Sequence, residues 1–339
     1  MADLPLELLC MTLPSELPQS PTSLSSSTQQ QETDSDRPRD VWALALLVIA
    51  LFSVSCAPIF IRYSEMDIGP QATVLNRYLI FAAVFGLGRG LLYALRPNQK
   101  DTDSKPFRKK DWLLLGSIGL ISTLSLSLWA ISLTQTSVAK SVLLNNLTPI
   151  FTALAGWLFL GRSFDRQFLI GLAIAMTGAI ALGWEDLQAA QADSLLGDAN
   201  ALLSAVFLAA YFMVGEQLRE RFSASTILLW RCSVGCILLV PFVWFTEGVL
   251  FPRSVIGWLA VIGLGIICEG LGQQLLITVM DRLSSGFVSL FLLLEPLVSA
   301  ILAWVLFAET LSGLTWIAFA VVITGIYLAK SSQSASNAH

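Results

Sequence analysis

Two glutamates lie deep within long apolar stretches of the chain, where charged side chains are rare. Glu269 is surrounded by Leu, Ile, Cys and Gly residues, and Glu295 follows three leucines and precedes Pro296. A carboxylate in apolar surroundings is costly unless it binds a cation or takes up a proton. Glu295 and Glu269 are therefore predicted to take part in substrate binding or in coupling to a proton.

Prolines occupy matching positions in two of these apolar stretches. Pro149 ends the tripeptide Leu-Thr-Pro, and Pro296 ends the tripeptide Leu-Glu-Pro. A proline removes one backbone donor and leaves a carbonyl one turn earlier without its helical partner. Interrupted helices at equivalent positions of two related halves favour a binding site between the halves. The alternative is that both prolines bend their helices to fit a curved bundle, and the two roles are compatible.

Uncharged polar residues in neighbouring stretches complete the candidate site. In an apolar environment such groups need hydrogen-bond partners, so they face either a polar cavity or another helix. The candidates are Asn145, Asn146, Thr148, Thr123, Ser127 and Gln273. Asn145 and Asn146 point about 100° apart on a helix, so we expect only one of them to face a cavity. For each candidate the alternative is an interhelical hydrogen bond, worth about 0.6 kcal/mol on average.

The elements that carry these residues are too apolar for a soluble protein. Of the 339 residues, 55% are hydrophobic and 13% are charged, whereas a soluble domain has about 25% charged residues. A membrane-spanning helix needs about 20 mostly apolar residues. Ten windows satisfy this requirement: 41–61, 71–94, 112–133, 138–160, 167–184, 196–215, 225–246, 255–279, 284–307 and 311–329. We therefore predict an all-α polytopic membrane protein with ten transmembrane helices.

The distribution of Lys and Arg predicts how the helices are oriented. If the N-terminus is inside, fifteen of these residues lie on the cytoplasmic side and two, Arg62 and Arg253, lie on the outer side. This bias predicts an integral protein of the plasma membrane with both termini in the cytoplasm. Residues 1–40 are rich in Ser, Thr, Gln and Pro and are predicted to form a disordered cytoplasmic tail, followed at the other terminus by a short tail at 330–339.

The chain contains an internal repeat. Residues 147–159 align with residues 294–306 at an offset of 147, and Arg77 corresponds to Arg231 at a slightly larger offset. Five spans in each half place the second half in the membrane with the opposite orientation, and the charges of corresponding loops are reversed accordingly. We predict two inverted five-helix repeats, residues 41–184 and 196–329. Such halves can exchange conformations around a fixed central site, which suits transport by alternating access.

These motifs resemble those of the EamA-type transporters of the drug/metabolite transporter (DMT) superfamily. The resemblance rests on residues 147–162, on their partners 294–310, on the paired Arg77 and Arg231, and on the five-plus-five count of spans. One departure is Arg162, which stands where the family usually has a glutamate after Leu-Gly. The resemblance implies a ten-helix carrier of small organic molecules such as amino acids, related metabolites or drugs, often moved outward. Its partners would be a small-molecule substrate and the lipid bilayer.

The charged residues of this core are open to more than one role. Glu295 would either bind the ammonium group of an amino acid or amine, or carry a coupling proton, because apolar surroundings favour a protonated carboxyl group. Arg77 and Arg231 lie within about two turns of a membrane face, so they either extend to the polar interface or close gates. Gly171 and Ala175 begin a row of small residues that would pack against a neighbouring helix or a second subunit. The sequence leaves the oligomeric state open.

Other functional classes lack the residues they need. The net charge is −4 and the basic residues lie in predicted loops, so no nucleic-acid partner is expected. The one histidine is His339, and Cys232 and Cys236 are interpreted as packing residues, so no metal, cofactor or catalytic site is expected. No GxxxxGK[ST] motif for ATP is present. We predict a secondary carrier and not an enzyme; the alternative is a non-transporting membrane scaffold or sensor on a transporter fold.

Overall fold

The apolar stretches form helices, and no strand occurs among the residues that the structure describes. The computed structural model describes residues 42–95, 108–136, 138–189, 195–298, 301 and 313–332. The predicted N-terminal tail at 1–40, most of the C-terminal tail and the motif residues 308–310 lie outside these ranges. The all-α class predicted from composition is confirmed for the described residues.

The first half of the chain contains six described helices. They are α1 (Trp42–Glu65), α2 (Pro70–Leu95), α3 (Lys109–Gln135), α4 (Val138–Asn145), α5 (Thr148–Leu160) and α6 (Arg166–Ala189). Helices α4 and α5 occupy a single predicted span, which is interrupted at residues 146–147.

The second half is more irregular. Its α-helices are α7 (Leu195–Arg219), α8 (Ala224–Thr246), α9 (Val255–Gly263), α10 (Gln274–Val279), α11 (Ser285–Phe291) and α12 (Gly313–Lys330). A π-helix, Leu264–Gln273, joins α9 to α10, and a 3₁₀ turn, Leu292–Leu294, follows α11. The wider π-helix carries Glu269, and such segments are common at functional sites.

Seven described helices are long and apolar enough to cross a membrane. Three further helical regions have shorter apolar stretches: Arg166–Ala181 within α6, Ser285–Val298 from α11 onward, and Trp316–Lys330 within α12. Each of the ten overlaps one of the windows predicted from hydropathy, and several extend a few residues beyond it. The count of ten membrane crossings remains a prediction, because these three apolar stretches are shorter than a full span.

Each of the two prolines lies directly after a break in its helix. Pro149 has no N–H for the carbonyl of Asn145, and the hydroxyl of Thr148 donates to that carbonyl instead, at 2.6 Å. In the second half the carbonyl of Leu292 would pair with residue 296, and it accepts the backbone N–H of Glu295 in the 3₁₀ turn. Both freed carbonyls are thus satisfied locally, by a side chain in one half and by the backbone in the other.

Helices α6 and α12 pack against each other in antiparallel directions through small residues. A Cβ added at Gly171 would lie 2.6 Å from the carbonyl oxygen of Gly325, and one at Gly325 would lie 2.6 Å from that of Gly171. A Cβ at Gly178 would meet Val322 and the carbonyl of Ala318. Since the repeat offset of 147 carries 171 onto 318 and 178 onto 325, the repeat exchanges these contacts. The small-residue row of α6 therefore packs against a helix of the same chain.

Helices α2 and α8, which carry Arg77 and Arg231, form a second antiparallel pair. Near the end of α2, Arg89 Nη1 donates to Thr226 Oγ1 at 2.7 Å. At the start of α2, the carboxylate of Glu247 accepts the backbone N–H groups of Gln71 and Ala72, both at 2.9 Å. A carboxylate at this position satisfies free helical donors and interacts favourably with the positive end of the helix dipole.

The loops gather at two ends of the helices. At the first, here called the Asp67 end, the carboxylate of Asp67 accepts the backbone N–H groups of Ser254 and Arg253, both at 2.7 Å. These hydrogen bonds lower the pKa of Asp67 below its ordinary value. At the second, the Asp111 end, Arg221 Nη1 pairs with Asp111 at 2.6 Å.

The close contact of α6 with α12 generates a prediction about stability. Gly325→Ala places a methyl group against the backbone of α6, so it should destabilise the protein by about 1–3 kcal/mol. Gly88→Ala, on a helix surface with no atom within 4 Å of the new Cβ, should be neutral or slightly stabilising. Thermal unfolding midpoints of the two purified variants in detergent test this, and equal midpoints would contradict the packing.

Candidate functional site

A cavity of about 130 Å³ lies between the helices of the two halves. Its walls include residues of α1, α2, α3, α4, α7 and α8, the π-helix and the segment after α11. The polar and charged residues that line it are Arg77, Ser122, Ser125, Asn145, Ser204, Tyr211, Arg231, Gln273 and Glu295. The remaining wall is apolar and aromatic, as in most small-molecule sites.

Behind the cavity wall, two arginines share the carboxylate of Glu269. Arg77 Nε donates to Oε2 at 2.7 Å, and Arg231 Nη1 donates to Oε1. Glu269 has no exposed surface and does not line the cavity, whereas both arginines do. Buried charges of this kind are retained only when they are paired and hydrogen-bonded. The three side chains come from the α2–α8 pair and the π-helix, so this group joins the two halves.

Arg231 is held on several sides. Its Nη2 donates to the hydroxyl of Tyr78 at 3.3 Å, and its guanidinium lies 5.2 Å from the ring centroid of Tyr78 and 4.8 Å from that of Tyr211. Such distances are those of cation–π contacts. The hydroxyl of Tyr211 donates to Gln273 Oε1 at 3.0 Å, which extends the network to the π-helix.

Close approach of the π-helix to α2 allows Glu269 to reach Arg77. A Cβ at Gly265 would lie 2.6 Å from Ile80 Cγ2 and 3.2 Å from the carbonyl of Arg77, so a larger residue would push the π-helix away. A π-helix has more residues per turn than an α-helix, so the side chains that follow it lie on a different face of the helix.

Glu295 lies in the cavity wall without a direct ion pair. It is half-buried, and no Lys or Arg nitrogen of the described residues lies within 4.0 Å of its carboxylate. Its hydrogen bonds to the described residues involve the backbone: its carbonyl accepts from Ser55 Oγ at 3.5 Å, and its N–H donates to the carbonyl of Leu292. The carboxylate is therefore placed to meet a ligand cation or a proton.

An uncharged hydrogen-bonded cluster forms another part of the wall. Ser125 and Ser204 each donate to the backbone carbonyl of the other, at 3.0 Å and 2.9 Å. Ser204 Oγ also lies 3.3 Å from Asn145 Oδ1. Asn145 sits at the last position of α4, where the helix break turns it toward the cavity.

The structure brings together some of the residues predicted from the sequence and separates others. Glu295, Asn145, Gln273, Arg77 and Arg231 line the cavity. The residues that do not line it are Glu269, Asn146, Thr148, Thr123, Ser127, Pro149 and Pro296. Of the two adjacent asparagines, only Asn145 thus faces the cavity.

The residues outside the wall have other roles. Thr148 satisfies the carbonyl freed by Pro149, and the backbone carbonyl of Ser127 accepts from Gln71 Nε2 at 3.2 Å. The hydroxyl of Thr123 is buried and has no hydrogen-bond partner among the described residues.

The interpretation that Arg77 and Arg231 extend to the polar interface is wrong. Their exposed fractions are 8% and 2%, and both pair with Glu269 in the interior. Sequence reasoning also missed Tyr78 and Tyr211, which hold Arg231. The sequence could have indicated Tyr78, because it directly follows Arg77. Nothing in the sequence singles out Tyr211, because aromatic residues are common in apolar spans.

A second ion pair, also missed in the sequence, lies at the Asp111 end. Arg162 forms two hydrogen bonds with the Glu216 carboxylate, at 3.0 Å and 2.9 Å, and the backbone N–H of Ser285 donates to it at 3.2 Å. These groups join the end of α5, the end of α7 and the start of α11. Arg162 is the residue that departs from the family motif, and its partner explains how the charge is accommodated.

A second, smaller cavity of about 30 Å³ lies toward the Asp67 end. It shares Ile61, Arg77, Leu126 and Trp129 with the first and reaches Glu65 and Pro70. Ion pairs join helices at both ends: Arg162 with Glu216 at the Asp111 end, and Lys140 with Asp198, at 3.3 Å, at the Asp67 end. No group of three His, Cys, Asp or Glu side chains suited to a metal occurs in the part of the chain that the structure describes.

Comparison with known proteins identifies relatives along nearly the whole chain. The model of the EamA-like transporter family matches residues 41–184 and 195–330. An uncharacterized transporter of Archaeoglobus fulgidus is 24% identical over 85% of this chain and 97% of its own length. A probable terminal-alkyne amino-acid exporter of Streptantibioticus cattleyicolor is 23% identical over 85% of this chain and 92% of its own.

Two further relatives bear on function and fold. The pseudopaline exporter CntI of Pseudomonas aeruginosa is 24% identical over 63% of this chain and 72% of its own length. A crystal structure superposes with a TM-score of 0.70 at 18% identity, covering 86% of this chain and 98% of that one, which supports the fold alone. The resemblance inferred from the sequence motifs is confirmed.

The shared carboxylate generates a second stability prediction. Glu269→Gln leaves two buried guanidinium groups without an anion, so it should destabilise the protein by about 3–5 kcal/mol. Glu295→Gln removes a carboxylate that has no ion pair and should cost much less. Thermal unfolding of both variants in detergent tests the difference, and a similar loss in the two would mean that Glu269 does not hold the arginines.

Proposed function

Because the chain belongs to the EamA-like transporter family, we propose that it is a secondary carrier that moves a small organic metabolite across a membrane by alternating access. The observation that carries this proposal is the polar cavity between the two halves, lined by Arg77, Arg231 and Glu295. Charged residues in the interior of a membrane protein are costly and are therefore expected where a substrate or ion passes.

The proposed architecture has ten transmembrane helices in two inverted repeats, residues 41–184 and 196–329. The antiparallel packing of α6 on α12 and of α2 on α8 supports it, since each pair consists of repeat-equivalent helices. A two-fold axis that relates two antiparallel helices is perpendicular to the helix axes. Because membrane-spanning helices run roughly along the membrane normal, this axis would lie in the membrane plane. Halves related in this way can exchange conformations and so open the cavity to either side.

The two ends of the molecule support alternating access in a second way. We infer that the ion pair of Arg162 with Glu216 holds the Asp111 end closed in this conformation, and the smaller cavity lies toward the Asp67 end. With the orientation expected from Lys and Arg, the Asp111 end is cytoplasmic, both termini are cytoplasmic and the protein resides in the plasma membrane. The structure then corresponds to a conformation closed to the cytoplasm.

The proposed substrate is an amino acid or a related polar compound, and the proposed direction is export. Two relatives are named as exporters, one of a terminal-alkyne amino acid and one of pseudopaline. The cavity of about 130 Å³ suits a small solute, because an engineered cavity of ~150 Å³ accommodates benzene.

Glu295 has two roles that fit its place in the wall. It would bind a substrate ammonium group, or it would take up a coupling proton when the site changes its exposure. We favour the proton, because no cluster of carboxylates that could hold a metal cation occurs among the described residues.

The coupling role of Glu295 is tested by transport in proteoliposomes. Glu295→Gln should abolish uptake driven by a pH gradient and leave exchange of bound substrate intact, because the amide keeps the shape but cannot release a proton. Glu220→Gln, at an exposed glutamate, is the matched control and should behave as the wild type. Full pH-driven flux in the Glu295 variant would rule out the proton role. Absence of flux and of binding with every amino acid, amine, organic acid and nucleoside tried would favour the scaffold or sensor alternative.

Closure of the Asp111 end generates a separate prediction. Arg162→Ala removes the cation that holds Glu216, so the backbone N–H of Ser285 should exchange with deuterium several-fold faster, while those of Gln71 and Ala72 at the Asp67 end should not change. Arg282→Ala, an exposed arginine at the same end, is the control. Hydrogen–deuterium exchange with mass spectrometry measures both, and unchanged exchange at Ser285 would mean that this ion pair does not close the end.

A further inference from the structure

We propose that Arg77 is the residue that binds a carboxylate group of the substrate, and that the substrates are small carboxylates. This inference rests on the proposed function, because it concerns the same cavity. Arg77 would contact the substrate, whereas its repeat partner Arg231 would keep its contacts within the protein.

Among the residues that the structure describes, one of the three guanidinium nitrogens of Arg77 has a hydrogen-bond partner. Its Nε donates to Glu269, and no hydrogen bond joins its two terminal nitrogens to any residue that the structure describes. Neither terminal nitrogen is among the fully buried unpaired atoms, and Arg77 lines both the main cavity and its extension. The two terminal nitrogens carry four N–H groups that face space in which a ligand can lie. Paired donors of this kind match a carboxylate with two parallel hydrogen bonds.

Arg231 is not available in the same way, although the repeat relates it to Arg77. Both of its terminal nitrogens are engaged, one by Glu269 and one by the hydroxyl of Tyr78. Its planar group also lies against the rings of Tyr78 and Tyr211. To bind a ligand carboxylate in the same manner, Arg231 would have to give up partners that Arg77 does not have.

The charge balance of the interior also favours an anion at Arg77. Two guanidinium groups share the single carboxylate of Glu269, so these three side chains together carry one net positive charge, which an ionised Glu295 would balance from across the cavity wall. Glu295 also lines the cavity but forms no ion pair within 4.0 Å of Arg77. A buried charge is stabilised by direct pairing. A ligand carboxylate bound to Arg77 would therefore supply a direct anionic partner for its terminal nitrogens.

Glu269 acts here as a positioning residue. Because it holds Nε, it fixes one side of the guanidinium and leaves the two terminal nitrogens available to a ligand in the cavity that Arg77 lines. The state of Glu295 then depends on the substrate. An ionised Glu295 would bind the ammonium group of an amino acid, whereas a protonated Glu295 would accompany a substrate that is a plain carboxylate. Both cases share the carboxylate at Arg77.

The test measures binding to the purified full-length protein in detergent, without transport. The probes are L-alanine, L-leucine and L-phenylalanine, each compared with its carboxamide, which lacks the negative charge, and with its N-acetyl form, which lacks the positive one. In the wild type, the best amino acid or its N-acetyl form should bind at least about tenfold more tightly than the carboxamide, the factor expected for a charged hydrogen-bonded pair.

Substitutions then locate the preference. Arg77→Gln should reduce the acid-to-carboxamide ratio to about one, and Arg77→Lys should retain part of it, because the charge stays but the paired donors are lost. Arg89→Gln, the same change on the same helix, should keep the wild-type ratio. Arg77→Lys also guards against a folding defect, since it keeps the buried charge next to Glu269.

The outcomes separate this inference from the proposed function. Equal binding of acid and carboxamide by the wild type, or an unchanged ratio in Arg77→Gln, would overturn the role of Arg77. Failure of every probe to bind, together with transport of a solute that has no carboxylate, would overturn it while the carrier function stands. Binding of the N-acetyl forms that strengthens as the pH falls would support a proton on Glu295, and binding of the free amino acids alone would support an ammonium there; both support a carboxylate at Arg77.

Discussion

The carboxylate of Glu269 is the group on which the interior of this protein depends. It pairs with two arginines, Arg77 and Arg231, which correspond to each other in the repeat, and it has no exposed surface. A buried guanidinium without an anionic partner costs several kcal/mol, so both arginines depend on Glu269 for their stability in the interior. The antiparallel α2–α8 pair and the close approach of the π-helix bring these three side chains together, and both arginines then form part of the polar cavity wall.

The helix pairs α6–α12 and α2–α8 each join positions that correspond in the repeat, but the charged residues of the site do not follow it. The repeat exchanges the contacts of α6 with α12, and it places Arg77 and Arg231 on paired helices. The acids break this symmetry: the offset of 147 aligns Glu295 with Thr148, and the offset of 146 that pairs Trp112 with Trp258 aligns Glu269 with Thr123. Both carboxylates thus belong to the second half. The first half has a neutral threonine at each of these two positions. The two arginines therefore share one anion, Glu269, and differ in their other partners.

The sequence anticipated the membrane-spanning class, the helices, their breaks at the two prolines and the family, and it selected five residues that line the cavity. Hydropathy and repeated motifs are patterns along the chain, so they are visible without coordinates. It could not separate Asn145 from Asn146, because the helix break decides which of them turns inward. It also treated Arg162 only as a departure from a motif, because its partner Glu216 lies 54 residues away on another helix.

The sequence by itself determined which residues enter an apolar environment and which of them carry charge. The tertiary structure decided which charged side chains pair with each other. Glu269 lies 192 residues from Arg77 and 38 from Arg231, and no local pattern relates such distant positions. Tyr78 and Tyr211 engage Arg231, while the terminal nitrogens of Arg77 have no hydrogen-bond partner among the described residues and Arg77 lines the cavity. The physical reason is that pairing of buried charges depends on the distance and direction of side chains in space, which are set by the packing of helices and not by their order in the chain.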